Sequence, residues 1–145
     1  GVVRCFTLSA VFCVEMHREA FLEFIPEHID ILFANEAEAQ SLFPGQSIDG
    51  IAARLGAQTQ LTALTLSEHG SKLISGSEIV EVSPVPVAKV TDATGAGDLY
   101  AAGLLYGLTQ GKPLAEAGAL GSACSSQIIQ QLGARAMQPL SQLVA

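Results

Sequence analysis

Positive charge is scarce in this chain of 145 residues. Only Arg4, Arg18, Arg54, Lys72, Lys89, Lys112 and Arg135 are basic, they are scattered, and the net charge is −7. Nucleic-acid binding needs clustered cations that displace counterions from phosphates, so no nucleic-acid partner is expected. Cysteine is also sparse: Cys5, Cys13 and Cys124 form no CxxC pair. That excludes a disulfide framework and a zinc site, and free buried thiols in a reducing cytoplasm are expected. No uninterrupted apolar run reaches the ~20 residues of a membrane span. The chain, which starts at Gly1, opens with no basic-apolar-small leader pattern, so no membrane partner is expected. Two common phosphate motifs are missing as well. Gly95-Ala96-Gly97 begins a GxGxxG pattern but Tyr100 stands at its third glycine, and no Gly-Lys-Ser/Thr tripeptide occurs.

What remains is apolar. Hydrophobic residues make up 49% of the chain and charged residues 14%. Such a chain can bury enough surface to offset the entropy of ordering, and its length suits one domain with a real core. Strand patterns cover residues 2–8, 29–34 and 61–66. Residues 72–75 and 78–82 flank Gly76-Ser77 as a hairpin, and 85–90 continues as extended chain beside Pro84 and Pro86. Helical spacing covers 15–25, stopped by Pro26, then 36–42 and 48–55. From Gly95 onward the chain is rich in Ala and Gly. It reads as helices over 96–109 and 114–132, ended by Gly133, with a last short helix over 137–144. Small residues such as Gly103, Ala117 and Gly121 let those two helices pack closely. Strands alternating with helices predict an α/β domain with a largely parallel sheet.

Three polar groups stand out. Thr94-Gly95-Ala96-Gly97 lies between extended chain and a helix start, where free amides and the helix dipole favour an anion and glycines let it approach. Asp98 sits in the first helical turn beside them. It either complements the dipole or serves as a general base. Asn35 and Glu38 open a helix on one face, either as a capping pair or as oxygen contacts to a hydrated magnesium ion. Thr65 and Ser67 end a strand, and Gly70 permits the tight turn that follows, which suits an ordinary polar turn or a ligand loop.

Asp92-Ala93-Thr94-Gly95-Ala96-Gly97-Asp98, followed by Leu99-Tyr100-Ala101-Ala102-Gly103, resembles the C-terminal signature of the ribokinase-like (PfkB) carbohydrate kinases. Asn35-Glu36-Ala37-Glu38 resembles that family's Asn-x-x-Glu motif, and Ser67-Glu68-His69-Gly70 its nucleotide-side loop, in wording nearest the adenosine-kinase-like members. Ala93 departs slightly, since Thr, Ser or Pro is more usual there. The resemblance implies a ribokinase-like, Rossmann-like sheet flanked by helices. It also implies that residues 1–145 are the C-terminal nucleotide-binding and phosphoryl-transfer portion, without the N-terminal part and lid. It further implies ATP-dependent phosphorylation of a sugar or nucleoside hydroxyl. Gly95, Ala96 and Gly97 would form the anion hole and Asp98 the base. Thr65, Ser67, Gly70, Thr94, Ser122 and Ser126 would meet the nucleotide, although helix packing also explains the last two. Asn35 and Glu38 would serve Mg²⁺, and Asp92 a monovalent cation such as K⁺. The implied partners are the small-molecule substrate and either a second copy or a missing N-terminal half. The alternative is a truncated, non-catalytic module that binds nucleotide or dimerises.

Overall fold

β2 (Ile31–Asn35) and β3 (Leu61–Thr65) are apolar on both faces and almost wholly buried, the pattern of strands covered on two sides. In the computed structural model, which describes residues 1–143, they are two of the three inner strands of a five-stranded sheet. Its order is β1-β2-β3-β4-β5, with β1 at Cys5–Thr7, β4 at Ser71–Ser75 and β5 at Glu78–Val82. β1, β2 and β3 run parallel, and β4 runs antiparallel to β3. The sheet is therefore mixed and mostly parallel, as the alternation of elements predicts. The one buried hydroxyl on β3, Thr62, is satisfied by Thr59 Oγ1 at 2.8 Å.

The chain divides into two compact units, one of Gly1–Ser67 with Ser71–Val80, the other of Glu68–Gly70 with the chain from Glu81 onward. In the first unit, α1 (Val11–His28), α2 (Glu36–Leu42) and α3 (Ile48–Gly56) flank the sheet. Its core joins Leu8, Val14, Ile25, Leu32, Leu42, Ile51, Leu55, Leu64 and Ile74. Phe21 and Phe24 pack edge-on against Phe6 of β1 at 5.5 and 5.8 Å. In the second unit, α4 (Ala96–Thr109) and α5 (Leu114–Ile128) form a helical hairpin. A Cβ built at Gly103 would lie 2.6 Å from the Leu120 carbonyl oxygen, and one at Gly107 2.7 Å from Ala117 Cα. The small residues do set the spacing of this pair.

Several local expectations are corrected. The first strand is three residues long and lies at the sheet edge, so Val2, Val3 and Cys5 are exposed rather than buried. α1 does not stop at Pro26. The ring sits inside the last turn, and the Ile29 amide still closes on the Ile25 carbonyl at 3.1 Å. Residues 83–93 form no strand, in keeping with the amides that Pro84 and Pro86 lack. α5 ends at Ile128, four residues before the expected 132. The Ile129 carbonyl there accepts the amides of Thr91 (2.7 Å) and Asp92 (3.2 Å), a tertiary pairing that competes with further helix. The helix expected over 137–144 reaches Val144, which lies outside the described residues. Within them the chain makes a 3₁₀ turn at Leu140–Leu143.

Gly103→Ala should destabilise the protein by about 1–3 kcal/mol through over-packing against the Leu120 backbone. The check is the urea unfolding midpoint at unchanged slope.

Candidate functional site

The first unit gathers its polar candidates at the carboxyl ends of the parallel strands, the edge where open α/β sheets bind ligands. Asn35 ends β2 and Thr65 ends β3, and the two are register partners. Asn35 is exposed. Its Oδ1 accepts the Glu38 amide at 2.9 Å, and Glu38 Oε2 accepts the Asn35 amide at 3.0 Å. The reciprocal capping box is therefore real. It uses one carboxylate oxygen of Glu38. The other, Oε1, has no partner among the described residues, although Glu38 as a whole is only 6% exposed. A nearly buried carboxylate with a free oxygen fits a hard cation reached directly or through water. Capping and cation contact are thus compatible.

Beyond Thr65 the chain makes a short 3₁₀ turn over Ser67–His69. Ser67 carries φ 53°, the left-handed region that glycine adopts without cost, so a glycine would be the relaxed residue here. In the second unit, Gly70 has φ 86°, and a Cβ there would collide with the Val82 carbonyl. The expected tight turn is present and requires glycine.

The second unit carries the Gly-Ala-Gly-Asp turn. Gly95 is the N-cap of α4 with φ 81°, and a Cβ on it would lie 2.8 Å from Ala134 Cβ. The Ala96 amide returns to the Ala93 carbonyl at 3.1 Å, and the Leu99 amide donates to the Gly95 carbonyl at 2.9 Å. Between them, the Gly97 and Asp98 amides meet no backbone acceptor among the described residues, the usual state of a helix start open to an anion. A Cβ at Gly97 would meet nothing within 4 Å, so packing does not explain this glycine. Asp98 is exposed, and its carboxylate makes no hydrogen bond among the described residues. It does not cap the helix.

Asp92 is held by three protein donors. Its Oδ1 accepts from Thr94 Oγ1 at 2.6 Å and from the Thr94 amide at 2.9 Å, and its Oδ2 accepts from the Gly133 amide at 2.9 Å. The Thr94 hydroxyl, then the Thr94 and Gly133 amides, hold Asp92 below the usual carboxylate range. On α5, Ser122 is buried and the Ser126 hydroxyl donates to the Ala123 carbonyl at 2.8 Å. Gly133 and Ala134 were legible only as a helix stop. Their real role, Gly133 bonding Asp92 across 41 positions of sequence and Ala134 packing on Gly95, leaves no local signal. Among the described residues no three His, Cys, Asp or Glu side chains gather.

A model of pfkB family carbohydrate kinases matches residues 7–140. The chain belongs to that family. Relatives of the pfkB chain include an uncharacterized sugar kinase of Archaeoglobus fulgidus, 33% identical over 120 residues, which are 83% of this chain and 48% of that protein. Among solved structures, a probable sugar kinase from Rhizobium etli matches with TM-score 0.95 and 39% identity over 99% of this chain and 44% of the other. An adenosine kinase from Sinorhizobium meliloti matches with TM-score 0.94 and 40% identity over 98% of this chain and 44% of the other. The pfkB chain thus spans less than half the length of these relatives. No described helix is long and apolar enough to cross a membrane.

Asp92 titrates with a depressed folded pKa, so its contribution to stability is full above the ordinary carboxylate value of about 3.9. It is lost as pH falls through the lower folded value. The gap in urea midpoint between wild type and Asp92→Asn should therefore be constant near neutrality and close only below that ordinary value.

Proposed function

We propose that this chain is the C-terminal phosphoryl-transfer portion of an ATP-dependent cytoplasmic kinase acting on a sugar or nucleoside hydroxyl. The observation that carries the reading is the start of α4. Gly97 is free of packing demands there, and Asp98 is exposed and, among the described residues, unpaired in the same helical turn. The Gly95-Ala96-Gly97 turn would hold the migrating phosphoryl group, whose charge is spread over its oxygens, through the open amides of Gly97 and Asp98. Asp98 would take the proton from the attacking hydroxyl. Thr94, Thr65, Ser67, Gly70, Ser122 and Ser126 are assigned to the nucleotide. Glu38, steadied by Asn35, would receive magnesium or its water, and the bound ion would neutralise phosphate charge. β1 ends the sheet with Val2 and Val3 exposed beside it, which suits pairing with an N-terminal half or a second copy.

MgATP should raise the melting temperature of the chain, because a ligand of the folded state stabilises it by mass action. No shift with MgATP or MgADP would refute nucleotide binding. A shift without turnover, over a panel of sugars and nucleosides supplied to the complete enzyme, would favour a non-catalytic binding module. In that enzyme Asp98→Asn should lower turnover by about 10²–10⁴-fold with ATP binding retained, and normal turnover would remove the base assignment.

Gly97→Ala separates packing from function. The methyl group has room, so the variant should be neutral to about 1 kcal/mol more stable. Phosphoryl transfer should nonetheless fall, because the methyl would stand where a phosphate oxygen must approach. Unfolding midpoints and turnover of one preparation test both halves.

A further inference from the structure

The Asp92 carboxylate joins two segments that are far apart in sequence. On one side it holds both polar groups of Thr94, the residue before the N-cap of α4. On the other it holds the Gly133 amide, in the turn that follows α5. The same two segments meet again through the Ile129 carbonyl, which accepts the Thr91 and Asp92 amides, and through Ala134, which fills the space beside Gly95. The turn after α5 is itself braced by Gln131. Its Nε2 donates to the Arg135 carbonyl at 2.7 Å, and its Oε1 accepts the Met137 amide at 3.1 Å.

From this arrangement we infer that Asp92 is a positioning residue, a clasp that sets the Gly95–Gly97 turn by fastening Thr94 to the turn after α5. Its catalytic consequence rests on the phosphoryl-transfer reading above. The physical case is that Gly95 has no side chain of its own to fix a left-handed backbone, and glycine is the most freely moving residue in a chain. Its conformation must be imposed from outside. Thr94 is imposed by Asp92, and the open side of Gly95 is closed by Ala134. Donors aimed at a developing charge contribute most when they need no reorganisation, so a turn held in this way suits an anion hole.

Asp92→Asn breaks the clasp with little change of shape. If the amide oxygen stays on Thr94, the new NH₂ group faces the Gly133 amide, donor against donor. Thr94→Val removes the 2.6 Å bond alone, and Thr94→Ser keeps it. Amide hydrogen exchange on the chain reads the turn directly. Ala96 and Leu99, whose amides close on Ala93 and Gly95, should exchange at least about 10-fold faster in Asp92→Asn and Thr94→Val. Gln110, at the far end of α4, should not change, and Thr94→Ser should match wild type. In the complete enzyme kcat should fall by roughly 10- to 100-fold, the scale of a misplaced catalytic group. For Asp92→Asn, KM for MgATP should stay within about 3-fold, as expected when transition-state contacts are lost and ground-state ones kept.

Unchanged exchange at Ala96 and Leu99 in both variants would overturn the inference, as would recovery of Asp92→Asn turnover on raising K⁺. Should Asp92→Asn not fold, the Thr94 pair carries the same readout. Asp98→Asn separates this inference from the catalytic reading: it should lower turnover by about 10²–10⁴-fold without altering exchange. If it turned over normally, the base assignment would fail while the exchange result still judged the clasp.

Discussion

A backbone that only glycine can adopt, in a space that only glycine can fill, governs the second unit. Gly95 has φ 81° and stands against Ala134, so both its torsion and its surroundings reject a side chain. α4 begins from this residue, because the Gly95 carbonyl receives the first amide-to-carbonyl bond of the helix, from Leu99. The direction of α4, the exposure of Asp98 and the open room beside Gly97 all follow from that start. The close approach of α4 to α5 through Gly103, Gly107 and Gly121 then carries the constraint along the hairpin.

The first unit answers a different constraint, the covering of parallel strands. β2 and β3 bury both faces, which leaves their carboxyl ends as the place where polar groups can stand. Asn35 and Thr65 are register partners there. The capping box at the start of α2 shows how one pair of residues can serve a fold and remain able to serve a ligand. Each carboxylate has two oxygens, and Glu38 commits only one of them to the Asn35 amide.

Legibility followed the range of the forces. α2 and α4 were readable to the residue, because Asn35 caps the one and the Gly-rich turn opens the other within a few positions. The hairpin of β4 and β5 was readable from Gly76-Ser77 for the same reason. α1 ran past Pro26 because the bond from Ile29 to Ile25 still closes a turn beyond the ring, and a propensity rule sees only the ring. α5 stopped early because Thr91 and Asp92, far back in the chain, take the Ile129 carbonyl. Cys5 was expected to be buried from its apolar neighbours, but β1 lies at the sheet edge, and strand order is not written in local pattern.

By itself the sequence determined the kinase lineage, the largely parallel sheet, and the residue types that meet phosphate chemistry. Those features depend on short spacings and on side-chain chemistry, which survive in one dimension. Tertiary structure alone decided that Asp98 is unpaired among the described residues, that Gly97 has no packing duty, and that Asp92 spends its charge on Thr94 and Gly133. Each of these is a statement about which donors and atoms stand nearby. Residues 41 positions apart become neighbours only when the chain has folded.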